Sequence, residues 1–213
     1  MSRRRGRFIV LEGLDGAGTT TQTERIAAVL RERGHRVLTT REPSDGPLGT
    51  QLRQALTRRL VRPDGAPLTP ETLALMFAAD RTDHLASSIL PALQAGQVVL
   101  SDRYLLSSLA YQGATLPMAW IDEINARARS PDLTLFVEVS TRTAARRRAG
   151  RGSPEELFEA EALQRKIAKK YDEAIVRRAV QDHIVRVSGE GTVDAVTAAC
   201  LAPLAKLLKT VGG

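Results

Sequence analysis

A chain of 213 residues that is 43% hydrophobic, 26% charged and only 4% aromatic has the composition of one globular unit able to bury a full core, not of a disordered or membrane protein. No apolar run approaches the roughly 20 residues a bilayer requires, the basic start leads into too few apolar residues for a secretory signal, and the lone Cys200 excludes an internal disulfide and a thiolate metal cluster. The net charge of +7 favours acidic partners such as nucleotides, nucleic acids or anionic surfaces without choosing among them; a cytoplasmic location is expected.

Short β-branched runs alternate with longer helical patterns, which predicts a parallel sheet covered by helices on both faces. The first strand is Phe8–Leu11. Gly13, Gly16 and Gly18 follow it, and then a helix over Thr20–Arg33 whose Ile26, Val29 and Leu30 share a face and which stops at Gly34. Strand, glycine-rich turn and helix start form the context of a phosphate-binding loop: backbone N–H groups converge on phosphate oxygens, and the helix terminus adds its dipole. Thr20 stands where the motif G-x-x-x-x-G-K-[ST] places its Mg²⁺-binding hydroxyl, but Thr19 occupies the lysine position. Glycines at this spacing arise about once by chance in such a chain, so an ordinary strand-to-helix turn is an equal alternative at this point.

The second strand, Val37–Thr40, delivers Arg41, Glu42 and Pro43. Leu48, Leu52, Leu56 and Leu60 recur every four residues and predict a helix. Thr69 and Pro70 form a helix start, a hydroxyl cap with proline at the first helical position; that helix is expected to reach about Ala95, bent at Pro91 and ended by Gly96. The third strand, Val98–Ser101, delivers Asp102 and Arg103. A carboxylate directly after a buried strand is where a P-loop kinase holds Mg²⁺, although aspartate is also a good helix cap. Arg41 and Arg103 stand at the ends of successive strands, where open α/β sheets bind ligands. They read as a phosphate clamp, against the plainer alternative of two surface ion pairs.

Trp120, Ile121 and Ile124 mark another helix, and Leu133–Val139 a fourth strand. Arg142–Gly152 contains five arginines and two glycines and reads as a basic loop or, more plainly, a solvated face. A long helix over about Glu159–Val180 carries Leu163, Ile167, Tyr171 and Ile175; Ile184–Val187 is the fifth strand and Val193–Leu208 the closing helix. Cys200, among helical apolar neighbours, is expected to be inert core. No repeat or linker divides the chain, so residues 1–213 read as a single domain.

Six segments now stand together: Phe-Ile-Val-Leu-Glu-Gly-x-Asp-Gly-Ala-Gly at 8–18, Thr-Arg-Glu-Pro at 40–43, Leu-x-Phe-Ala-Ala-Asp-Arg at 75–81, Asp-Arg-Tyr at 102–104, Ala-Tyr-Gln-Gly at 110–113 and Pro-Asp-Leu-Thr at 131–134. In this order they resemble the thymidylate kinase family, from about residue 7 to at least residue 139. The resemblance implies a P-loop NTPase-type, three-layer α/β/α fold with a five-stranded parallel sheet, like other nucleoside monophosphate kinases. It implies transfer of the γ-phosphoryl group of ATP to dTMP, giving dTDP and ADP, with Mg²⁺ entering with ATP, in a homodimer.

It also implies roles for residues. ATP phosphates would lie on Gly13, Gly16, Ala17, Gly18, Thr19, Thr20 and Thr21, with Mg²⁺ at Thr20 and Asp102. Thymine would stack on Phe77, which otherwise reads as core, with Arg81 at a base carbonyl. Tyr111 would pack under the deoxyribose, where a 2′-hydroxyl would clash, with Gln112 and Ser108 bordering the base. Arg41 and Arg103 would hold the acceptor phosphate, Asp15 would sit near the acceptor, and Glu42 would orient the sugar or a metal-bound water. The arginine-rich stretch becomes a lid at about 142–158. Gly16 matches the small loop residue of bacterial-type members, in which lid arginines, here Arg147 and Arg151, bring charge to the transferring phosphoryl. Asp15, Arg103, Arg147 and Arg151 are thus the expected catalytic set.

Two departures stand out. The family's Arg-Glu-Pro-Gly becomes Arg-Glu-Pro-Ser-Asp-Gly at 41–46, and Thr19 replaces a lysine whose loss typically costs on the order of 10²–10³ in rate. Everything else the reaction needs is present, so catalysis is expected, with a lid arginine replacing the lysine charge. The rivals are a nucleotide-binding protein that has lost transfer and a kinase for another monophosphate. Nucleic-acid binding rests on net charge alone, because the basic residues lack interleaved aromatics, and is not expected.

Overall fold

The computed structural model describes residues 5–148 and 154–209, with the backbone alone for 154–160 and 209. In chain order it runs β1 (Arg7–Glu12), α1 (Thr19–Glu32), β2 (Val37–Arg41), α2 (Pro47–Leu56), α3 (Pro70–His84), α4 (Leu90–Gln94), β3 (Val98–Asp102) and α5 (Leu105–Tyr111). It continues with α6 (Met118–Ile124), β4 (Leu133–Glu138), α7 (Thr141–Arg148), α8 (Pro154–Arg178), β5 (Ile184–Ser188) and α9 (Val193–Lys209).

The five strands form one wholly parallel sheet in the order β2-β3-β1-β4-β5. β1 explains its own central place: Phe8, Ile9, Val10 and Leu11 are all at most 1% exposed, the uninterrupted apolar run of a strand covered on both faces. Each such side chain contributes roughly 1.5–3 kcal/mol on burial. The edge strands β2 and β5 instead expose Thr39, Arg41, Arg186 and Ser188. α1 and α9 pack together on the sheet, α4 lies on β3 and α5 packs on α8, giving a three-layer α/β/α arrangement. Cys200 is fully buried, and burial raises its thiol pKa to about 11, as its reading as inert core requires.

Register aligns the functional ends. Leu11 of β1 and Arg41 of β2 both pair with Asp102 of β3, so three strands finish at one level. The onward connections of the neighbours β1 and β3 leave in opposite directions, to β2 and to β4, which opens a crevice at their carboxyl ends.

Several boundaries differ from expectation for identifiable reasons. α2 stops at Leu56 and excludes Leu60: the Thr57 hydroxyl bonds back to the carbonyls of Arg53 and Gln54, and Arg58 takes a left-handed φ of 56°. The Thr69 side chain caps α3 by accepting from Thr72 N. The helical path then continues through a π-turn at Leu85–Ile89 into α4; the wider turn lies just ahead of Pro91, which has no N–H to donate to the preceding turn. The expected basic loop is half helix. α7 opens where Ser140 Oγ accepts from Thr143 N, and its arginines are good helix formers. α8 begins at Pro154, earlier than expected, and the short α5 carried no recognised periodicity. Among the described residues no helix is long and apolar enough to cross a membrane.

Candidate active site

The glycine-rich turn leaves β1 and enters α1 at Thr19. Gly16 is obligatory there: its φ is +91°, and a Cβ would fall 2.5 Å from the Ala144 carbonyl oxygen of α7. Thr20 Oγ1 donates to Asp102 Oδ2, so the hydroxyl and the carboxylate read independently as Mg²⁺ ligands meet at the crevice. Asp102 Oδ1 is buried without a hydrogen-bond partner among the described residues. Among the described residues no three His, Cys, Asp or Glu side chains cluster to hold a metal. An ion at Thr20 and Asp102 would take its remaining ligands from phosphate and water, as Mg²⁺ commonly does.

Thr19 is 5% exposed, and its carbonyl accepts from Thr23 Oγ1 at 2.9 Å; no cation projects from this position. All five lysines of the chain follow residue 165, so none belongs to the loop itself. Arg147 reaches the loop through one carbonyl: Nη1 donates to Ala17 O at 3.2 Å, while Nη2 donates to Gly189 O, just after β5, at 2.8 Å. Arg151 lies outside the described residues.

Beside the loop is a cavity of about 490 Å³. Asp15, Glu42, Phe77, Arg81, Arg103, Ser108, Tyr111 and Gln112 all line it, bringing together eight residues spread over nearly a hundred positions of sequence. Leu68, Pro70 and Leu73 add an apolar wall. Arg41 is not among the lining residues. Its guanidinium is 60% exposed and pairs with Asp45 Oδ1 at 2.7 Å, so the aspartate in the Ser44–Asp45 departure occupies the arginine expected to clamp phosphate.

Arg81 is 1% exposed. It donates to Asn125 Oδ1, to Glu42 Oε2 at 2.6 Å and to Ser108 Oγ at 2.9 Å, and lies 5.0 Å from the Tyr104 ring centroid. Glu42 thereby acts first as the buried counter-ion of Arg81, and its other oxygen lies 3.4 Å from His84 Nδ1. Asp80, also buried, takes Ser44 N at 2.8 Å and Ser44 Oγ at 2.5 Å, which fixes the turn carrying Glu42 and Pro43.

Arg103 adopts a φ of +73°, a rare conformation for a non-glycine residue that often accompanies functional sites. Its Nη1 donates to Gly13 O at 3.3 Å and to Ser107 Oγ at 3.3 Å, and the group lies 5.2 Å from the Tyr111 ring centroid. Burial alone would lower its pKa, but Tyr171, Tyr111 and Glu12 together raise it, so the charge is permanent.

Beneath Arg103 lies a network absent from the sequence reading. Glu12, fully buried at the end of β1, accepts from Tyr104 N at 2.8 Å, from Ser107 N at 3.1 Å, from Ser107 Oγ at 2.6 Å and from Tyr171 OH at 3.2 Å. Burial raises its pKa, against the lowering effects of Ser107 and Arg103. The only advance signal was a carboxylate ending an apolar strand. Tyr171 also donates to Gly13 O at 3.0 Å, tying α8 to the loop, and Tyr111 OH accepts from Asp15 N at 3.1 Å. Among the described residues, Arg81 Nε, Gln112 Oε1 and Gln164 Oε1, all on side chains that line the cavity, are buried without hydrogen-bond partners.

Comparison with known proteins agrees with this geometry. The family model described as thymidylate kinase matches residues 11–199. The probable thymidylate kinase of Pyrococcus abyssi is 43% identical over 168 residues, covering 78% of this chain and 82% of that protein. The thymidylate kinase of Thermomicrobium roseum is 42% identical over 177 residues, 80% of this chain and 81% of its own. That of Syntrophotalea carbinolica is 39% identical over 201 residues, covering 89% and 90%.

Proposed function

This chain belongs to the thymidylate kinase family, and from that premise and the site we propose that it phosphorylates dTMP to dTDP at the expense of ATP. The observation that carries the reading is the single cavity in which the loop residue Asp15 faces Phe77, Arg81, Arg103, Tyr111 and Gln112. It joins a phosphate-binding loop to a pocket of suitable size for a nucleotide.

The unpartnered atoms favour a thymine base. Arg81 Nε carries an N–H, and Gln112 Oε1 accepts. Thymine offers the complement, a carbonyl at C4 and an N–H at N3; cytosine offers an amine and a bare nitrogen. Phe77 supplies a ring for stacking, Tyr111 packs on the sugar and Ser108 borders the base.

Transfer requires an acceptor phosphate oxygen to attack the γ-phosphorus while its bond to the β–γ bridging oxygen breaks and ADP leaves. The acceptor oxygen is already anionic, so no general base is needed, and the protein's task is alignment and charge neutralisation. Gly13 to Thr21 would cradle the donor phosphates with backbone N–H groups and the α1 terminus. Thr20 and Asp102 would hold Mg²⁺, which when bound neutralises phosphate charge. Arg103, permanently cationic, would hold the acceptor phosphate, and Arg41 would join it on leaving Asp45. A lid arginine, Arg151 or Arg147 released from the Ala17 and Gly189 carbonyls, would replace the charge that Thr19 lacks.

The same reading takes residues 1–213 as one kinase domain with a lid at about 142–158, homodimeric and cytoplasmic. A coupled assay of ADP formation tests it: turnover should depend on dTMP at saturating Mg-ATP, and dTMP binding without ADP would contradict it.

A further inference from the structure

His84 ends α3 and is 3% exposed. It follows Arg81 by three residues, which places the two side chains on one face of the helix. A leucine would fill such a buried position with no polar ring to satisfy. Both ring nitrogens instead meet groups at the end of β2: Nε2 lies 2.6 Å from Thr40 Oγ1, and Nδ1 lies 3.4 Å from Glu42 Oε1. Neither His84 nor Thr40 lines the acceptor cavity, so any part they play in the reaction runs through another side chain.

The partners fix the tautomer. The Glu42 carboxylate, paired with Arg81, only accepts, so a neutral ring carries its proton on Nδ1 and Nε2 accepts from the Thr40 hydroxyl. Thr40 thereby holds the ring with its N–H toward Glu42. Among the described residues His84 is the only hydrogen-bond partner of Glu42 Oε1, while Oε2 takes Arg81 Nη2 at 2.6 Å. The last torsion of a glutamate is broad, so a single bonded oxygen leaves the carboxylate plane free to swing, and two bonded oxygens set it. The plane in turn sets the guanidinium of Arg81, whose Nε is buried without a partner among the described residues and belongs to a side chain that lines the cavity.

We propose that His84 is a positioning residue for the acceptor base: it holds Glu42 Oε1, and through that carboxylate it aims Arg81 Nε at the base carbonyl. This rests on the kinase reading above. The test is a series at position 84, read by KM and kcat for dTMP and dCMP at saturating Mg-ATP. An asparagine amide overlays Nδ1 and keeps a donor for Glu42, a glutamine amide overlays Nε2 and keeps only Thr40, and leucine keeps neither. His84→Leu and His84→Gln should raise the KM for dTMP about tenfold with kcat changed by less than about threefold. Their preference for dTMP over dCMP in kcat/KM should narrow by about the same tenfold, the low end for a hydrogen bond to a charged group. His84→Asn should recover most of both losses. Thr40→Val keeps a strand-forming shape but releases Nε2, and should narrow the preference about threefold. An unmoved preference in His84→Leu, or in Thr40→Val should the leucine variant not fold, would overturn the inference. So would rescue by glutamine rather than asparagine, or equal losses in all three variants at position 84, which mark a residue that only packs. A parent that forms no ADP with dTMP overturns the kinase reading and this inference with it; turnover of dTMP with the preference unmoved overturns this inference alone.

Discussion

Replacing Arg81 by methionine tests whether the acceptor pocket is built around a buried charge pair. The Arg81 and Glu42 side chains are 2% and 3% exposed and 2.6 Å apart, so solvent cannot take over either charge when the other is removed. Truncating one member of such a pair costs about 3–5 kcal/mol, most of it the penalty of the stranded charge. Asn125 Oδ1 and Ser108 Oγ would lose their donor as well, which places Arg81→Met at the upper end. Urea denaturation followed by circular dichroism would read this as a lower midpoint at unchanged slope. The decisive comparison is the cycle with Glu42→Gln: with the carboxylate neutralised, the double variant should recover on the order of 2 kcal/mol relative to the sum of the single variants. A single-variant cost below about 1 kcal/mol, or strict additivity, would refute the buried-pair reasoning.

Three other perturbations follow from the same geometry. If an arginine already supplies the missing cation, Thr19→Lys should change kcat by less than about tenfold, whereas a rise near the 10²–10³ worth of such a group would show that nothing compensates; steady-state kinetics at saturating Mg-ATP reads this. Asp45→Ala should free Arg41 and lower the KM for dTMP by up to about fivefold, since the pair is exposed and worth at most about 1 kcal/mol; an increased KM would show that Asp45 positions Arg41 rather than competing for it. Burial raises the Glu12 pKa, so the folded state keeps the proton after the unfolded chain has released it. The stability contributed by this group is full below the unfolded value and falls as pH rises through the folded one. Melting temperatures of Glu12→Gln should therefore gain on the parent over that window; a constant difference would refute the raised pKa.

The parts of this molecule legible in sequence were those set by local pattern. β1 announces itself as a buried strand by four consecutive apolar residues, and Thr69-Pro70 begins α3 where capping chemistry says it should. The site residues quoted from family motifs sit on the turns after strands, on α3 and at the end of α5, and seven of them, with Ser108, line one cavity. What stayed hidden depends on distant partners. The Glu12–Tyr171 contact joins residues 159 positions apart, so Tyr171 on an apolar stripe read only as core. Arg41 was placed correctly at a strand end, but its Asp45 partner redirects its guanidinium, an outcome that strand position alone does not fix. α7 was read as loop because five clustered charges outweighed a Ser140 cap visible only with coordinates.

On the proposed reading, Arg81 Nε and Gln112 Oε1 would meet the carbonyl and N–H of thymine in a cavity that delivers its phosphate to the ATP loop. The most direct measurement is kcat/KM for dTMP against dCMP at saturating Mg-ATP. An inverted donor–acceptor edge leaves buried polar groups facing like partners, so dTMP should be preferred by at least about a hundredfold. Comparable turnover of dCMP, or no ADP formed with dTMP, would contradict the account.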